Sequence, residues 1–225
     1  MRKLLFTVVT VLALLLAAEV GVTLLSQQGM ERALRSQYEL PDSLEASINS
    51  FPFLVSLARN HIGELQLTWE GELGYQAGEG ALAGLPYRGS VNLYDLELNM
   101  PALLTGRLEV REVSRHRASM AISISDIGKA MGLPGDALEA EGGRLYLSEG
   151  GKKTQCVVKA SGVNGVAIEP LEDYMNSKDS GHNPDDTVHT VVFPSLPVDA
   201  ELLNARVEGS MVILEMSIPQ WEGYL

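Results

Sequence analysis

Residues 47–69 read SINSFPFLVSLARNHIGELQLTW, and within them the pattern changes from an apolar cluster to strict alternation. Phe51, Phe53, Leu54 and Leu57 crowd around Pro52. From Ile62 onward Leu65, Leu67 and Trp69 alternate with Gln66, Thr68 and Glu70. A period of two marks a half-buried strand, because successive side chains leave a strand on opposite faces. The chain therefore enters a sheet here, with the aromatic cluster at the entrance. That cluster fits two roles. Pro52 fixes the backbone and aromatic rings bury well, so it suits a core junction. Residues of the same kind also line apolar ligand pockets. Patterning alone leaves both open.

Upstream, Met1-Arg2-Lys3 is a short basic start, and no charge interrupts Leu4 to Ala18. This is the layout of an export signal, with the basic residues held on the cytoplasmic side. The run is shorter than the roughly 20 residues of a spanning helix. Ala18 has Leu16, not a small residue, two positions before it, and apolar residues resume past Glu19 at Val20, Val22, Leu24 and Leu25. Residues 1–25 thus read as a signal peptide or a signal-anchor helix, and either reading places residues 26–225, taken as one domain, outside the cytoplasm. From Glu19 to Tyr38, Val22, Leu25, Gly29, Ala33 and Leu34 recur near helical spacing, and Pro41 closes the pattern.

Downstream, strand patterns dominate. Gly71 to Gly89 holds six glycines and Pro86, which predicts a loop or a broken hairpin. The alternation of Val91 and Leu93 slips by one at Tyr94-Asp95 before resuming at Leu96 and Leu98, as a β-bulge would make it. Ala118, Met120, Ile122 and Ile124 share one face of a strand, and Ser125-Asp126 reads as the cap of a short helix over 127–131. Further strands are expected at Leu145 and Leu147, Thr154 to Ala160, Val166 with Ile168, and Val188 to Phe193. Leu203 to Glu208 and Val212 to Ile218 form a hairpin turning at Glu208-Gly209. The polar stretch Ser177 to Asp186 reads as a surface loop. No βαβ alternation occurs, so the class is α+β: an antiparallel sheet with one or two helices packed on it.

Composition narrows the function. With 29 Asp+Glu against 17 Lys+Arg, the net charge of −12 disfavours nucleic acid and general docking to anionic membranes. The one cysteine, Cys156, forbids an internal disulfide and sits in an alternating run, as a small buried residue would. Arg107, Arg111, Arg115, His116 and Arg117 form a basic cluster. Arg111, Arg115 and Arg117 would share a strand face suited to a phosphate headgroup, while Glu109 and Glu112 beside them also fit a solvated, ion-paired face. Catalytic signatures are missing: no G-x-S-x-G elbow, no Walker loop and no G-x-G-x-x-G after a strand occurs. His61, His116, His182 and His189 are scattered, and Asp179, Asn183, Asp185 and Asp186 fit no known calcium loop, so neither cofactor nor metal is expected.

Three stretches taken together resemble the LmeA-like phospholipid-binding family. They are Ile48-Asn-Ser-Phe51-Pro52-Phe53-Leu54, then Ser123-Ile-Ser-Asp126-Ile127, then LPVDAELLNARVEGSMVILEMSI from Leu196. The chain departs from the family pattern at Ser50 and at Arg59-Asn60, where glycine-containing sequences are common. The resemblance implies a non-enzymatic envelope protein that binds phospholipid. It also implies a curved antiparallel sheet packed around one long N-terminal helix plus a short helix, similar to tubular lipid-binding modules. On that reading Phe51, Phe53, Leu54 and Leu57 line an acyl groove between helix and sheet. Arg111, Arg115 and Arg117 are then a secondary headgroup contact, and the N-terminal helix holds the protein to the membrane. A rival reading is a membrane-anchored scaffold presenting the sheet to a protein partner, which the sequence does not name. Exposed apolar residues on the second face of the last strand would favour that rival.

Overall fold

A computed structural model describes residues 2–38, 41–77, 80–99, 102, 107, 109–149, 151–171, 189–194, 196 and 200–218. The fold is α+β with antiparallel strands, as expected. Its described residues fall into two compact units. One draws on Met1–Trp69 and Val91–His116, the other on Glu70–Ser90 and Arg117–Gln220.

In the first unit, helix α1 (Arg2–Tyr38) leads into strand β1 (Glu45–Ile48) and a short helix, α2 (Phe53–Arg59). The inner end of α1 is packed: Met30, Ala33 and Leu34 are buried. Its polar residues bind β1 directly. Glu31 Oε1 accepts the Ala46 N–H at 3.0 Å, and Arg35 Nη2 donates to the Leu44 carbonyl at 2.7 Å. β1 runs antiparallel to β2 (His61–Ala77), with Ile48 opposite Leu65 and Ala46 opposite Leu67. The alternation that opened the sequence reading is thereby explained, since Leu65, Leu67 and Trp69 are buried. The slip at Tyr94-Asp95 is also present: Leu93 and Leu96 are both buried, and Asp95 between them has φ 53°. That backbone conformation, rare outside glycine, lets one extra residue turn outward without breaking the buried face.

The second unit contains the remaining lengths of β2, of β3 (Gly80–Leu98) and of β4 (Val110–Ser123). It continues with helix α3 (Ile124–Ala130) and strands β5 (Leu138–Glu141), β6 (Arg144–Glu149) and β7 (Lys152–Ser161). The last strands are β8 (Gly165–Pro170), β9 (His189–Val192), β10 (Glu201–Glu208) and β11 (Met211–Ser217). The hydrogen-bonded order is β10-β11-β4-β3-β2-β9-β8-β7-β6-β5, so β10 and β5 are ends and the sheet is not closed. β11 pairs with both β10 and β4, and Val212, Leu214, Met216 and Ile218 share its buried face with Ala118, Met120 and Ile122 of β4.

One expectation is resolved and two need correction. Gly71 to Gly89 takes the hairpin alternative and not the loop: β2 runs to Ala77 and the neighbouring strand β3 starts at Gly80. The glycines mark close approaches instead. A Cβ on Gly71 would stand 2.8 Å from the Tyr87 ring, and one on Gly84 would stand 2.7 Å from Glu72. Gly71 also keeps phase with Trp69 and Leu73, so the Tyr87 ring takes the space its missing side chain leaves. The short helix begins at Ile124, three residues before the expected start. Ser123, not Ser125-Asp126, stands at its N-cap, and the Ile124 N–H donates to the Ser210 carbonyl. Among the described residues two short helices are delimited rather than the one expected, because 53–59 forms α2. The polar stretch 177–186, with its candidate calcium residues, lies outside the described residues.

Candidate functional site

Helix α1 changes character along its length. Phe6, Val9, Val11, Leu12, Leu14, Leu15, Leu16, Val20, Leu24 and Leu25 are all exposed, whereas Ser26, Met30, Ala33 and Leu34 are buried. By length and composition Val9–Ser36 could cross a membrane. Protein already covers its inner end, so the apolar surface left for a bilayer stops near Leu25. From Phe6 to Leu25 that surface rises about 30 Å, the thickness of a hydrocarbon core.

Glu19 lies within this surface, toward its inner end, and does not interrupt it. Its side chain turns into the body and is 8% exposed. Its carboxylate accepts the Phe53 N–H through Oε1 and the Leu54 N–H through Oε2 at 2.9 Å. These are the first two amides of α2, donors left without partners inside the helix. Pro52 precedes them and supplies no side-chain cap. A carboxylate 34 residues upstream does so, favoured by the positive end of the helix and by the charge on the acceptor. At the other end of α2, Asn60 takes a left-handed conformation (φ 55°) and its N–H returns to the Leu57 carbonyl.

Ser50 fixes the segment between β1 and α2. Its Oγ accepts the Gly63 N–H at 2.8 Å and the Glu64 N–H at 3.2 Å. With α1 on one side and this segment on the other, a pocket of about 290 Å³ opens between them. Leu16, Glu19, Val20, Thr23 and Leu24 of α1 form one wall, and Ile48, Asn49, Ser50 and Phe51 the other. The polar members of the lining are largely occupied. Glu19 caps α2, the Thr23 hydroxyl donates to the Glu19 carbonyl at 2.7 Å, and Ser50 holds two amides. What remains facing the cavity is mainly aliphatic and aromatic, a surface that suits hydrocarbon.

Of the residues singled out in the sequence, Phe51 lines this pocket and is 79% exposed. Phe53 is 1% exposed and lies in the core of the first unit. Leu54 and Leu57 are half-buried on α2 and do not line the pocket. Arg111, Arg115 and Arg117 are exposed on β4, and among the described residues none has a carboxylate partner. Arg115 stacks over the Tyr94 ring at 5.2 Å. Sequence reasoning missed the α1 wall, because Leu16 to Leu24 read as signal or anchor. The available signal was Glu19 itself, a lone acid in an apolar run. Among the described residues no three His, Cys, Asp or Glu side chains gather as a metal site.

An α+β protein with a membrane-length apolar helix and an apolar pocket at that helix belongs with proteins that handle lipid. More particularly, the chain belongs to the LmeA-like phospholipid-binding family, which it matches over residues 17–217. The match takes in α1 from just before Glu19, the pocket lining apart from Leu16, and every described strand. No curated protein and no solved structure matches the chain.

Proposed function

We propose that this protein is a non-enzymatic phospholipid-binding protein of the cell envelope. It is held by α1 with its body on the extracytoplasmic side, and it takes an acyl chain into the pocket between α1 and the β1–α2 segment. The observation that carries this reading is the pocket's position. One wall of the cavity is the same apolar helix that is long enough to enter a membrane. The basic start at Arg2-Lys3 supports the orientation.

A cavity of about 290 Å³ is at the small end of ligand sites. It accommodates part of one chain, with the headgroup outside. Each methylene buried contributes about 0.8 kcal/mol, so affinity grows with the length of chain enclosed. Phe51 is then a lining residue and Phe53 a core residue that positions it. Arg111, Arg115 and Arg117, exposed and without a carboxylate partner among the described residues, are a secondary headgroup contact.

The scaffold alternative draws no support from β11, where Met211 and Ile213 on the second face are half-buried rather than exposed.

The test is native mass spectrometry of the full chain purified in detergent from an envelope-bearing host. Co-purifying phospholipid is expected, and Val20→Trp, which fills the pocket from an exposed position, is expected to abolish it. Leu15→Trp, exposed on α1 but outside the lining, should retain it. Equal lipid in both variants would remove the pocket from the account, and a folded protein free of lipid would favour the scaffold.

A further inference from the structure

The pocket opens beside a segment with unusual exposure for an acidic protein. Between Glu45 and Glu64 the chain carries no acid, and its charged groups there are Arg59 and, when protonated, His61. Within this stretch Phe51, Pro52 and Val55 are exposed, while Phe53 faces the core. Helix α2 thus departs from the usual arrangement for a surface helix, being apolar outward at Val55 as well as inward at Phe53. It ends one turn after Val55 at exposed Arg59, which makes no ion pair among the described residues.

The level of this segment along α1 is fixed by contacts. Glu19 holds the start of α2, and Phe51 lines one pocket with Leu16, Val20 and Leu24. If the apolar surface of α1 enters a bilayer up to Leu25, Phe51 and Val55 enter with it, because they are tied to that same stretch. Arg59 lies one helical turn past Val55, about 6 Å of rise along α2, and its long side chain can span a headgroup layer. A guanidinium on an apolar helix at that depth reaches the phosphates while its stem stays among chains.

We infer that residues 51–59 dock into the headgroup–acyl boundary of the leaflet that receives α1. Phe51 and Val55 lie among the chains and Arg59 at the phosphates, so the pocket fills laterally from the bilayer rather than from water. This rests on α1 being the membrane anchor. It adds that the binding site is itself immersed.

Nitroxide labels test it in the full chain, reconstituted into vesicles of phosphatidylcholine and phosphatidylglycerol in equal parts. The labels are placed by Leu12→Cys, Ser47→Cys, Phe51→Cys and Val55→Cys in a Cys156→Ala background. All four positions are exposed, so labelling spares the core. Relaxation by oxygen and by a water-soluble nickel chelate reports depth. Labels at 12, 51 and 55 are expected to favour oxygen, and the label at 47 the chelate. Position 12 in lipid with 51 and 55 in water would overturn the inference and leave the anchored lipid-binding protein standing. All four in water would overturn the anchor and the inference together.

Discussion

The two ends of helix α1 differ in composition and have opposite fates. The inner end, Ser26 to Arg35, buries Ser26, Met30, Ala33 and Leu34 against protein, and its polar residues Glu31 and Arg35 are spent on the backbone of residues 44–46. The outer end, Phe6 to Leu25, presents its apolar side chains outward. Hydrophobicity already separates the two, with 15 apolar residues among the 20 from Phe6 to Leu25 and three among the nine from Ser26 to Leu34. The polar partners separate them further: the inner end has side chains placed to tie down a strand, and the outer end has one, Glu19, which holds the start of α2. That residue sits where the pocket lies, and the difference locates the site at the changeover.

The comparison can be broken most sharply at the core next to Glu19. Phe53→Ala is expected to cost about 3–5 kcal/mol by denaturant titration in detergent, because a fully buried ring leaves a cavity. Phe51→Ala, two residues earlier but exposed, should change stability by less than about 0.5 kcal/mol. If the two were equally costly, the assignment of Phe51 to a pocket wall would fail. The same contrast holds along α1: Leu34→Ala should cost about 2–5 kcal/mol, and Leu15→Ala within about 0.5 kcal/mol.

Glu19→Ala comes next, with an expected loss of about 1–3 kcal/mol from two amides left without an acceptor. Glu19→Gln should recover part of it, since one acceptor oxygen remains. Hydrogen exchange at Phe53 and Leu54 would speed up in both variants. Unchanged exchange there would mean that α2 does not depend on Glu19.

The smallest effect lies in the second unit and serves as its control. Burial pushes the Cys156 thiol above its ordinary value of 9.0. A thiol raised in the folded state contributes stability fully below the unfolded pKa, and that contribution is lost as pH rises through the folded one. Alkylation near pH 8.5 should therefore be slow in the native chain and fast in denaturant, and Phe51 or Glu19 substitutions should leave it slow.

Much of the sheet was legible because its periodicity is local. The alternation at Leu65 to Trp69, the slip at Tyr94-Asp95 and the final hairpin each follow from a few neighbouring side chains. The glycines of Gly71 to Gly89 left loop and hairpin both open because their reason is across the strand, in the Tyr87 ring and Glu72. Helix α2 was illegible for a related cause. Phe53 to Arg59 carries no cap of its own, and its acceptor arrives from residue 19. The pocket inherited that difficulty: half its lining lies in a stretch that composition reads as a membrane or export segment, and only the fold brings it against Ile48 and Phe51.

The most direct test of the central claim is photo-crosslinking with a phospholipid carrying a diazirine on one acyl chain, at one lipid per protein in detergent. Ile48 is decisive because it lines the pocket yet is only 8% exposed, so bulk lipid does not reach it. The account predicts adducts on Ile48 together with residues 16–24, lost in Val20→Trp. Adducts confined to the strands of the second unit, with Ile48 unmodified, would contradict it.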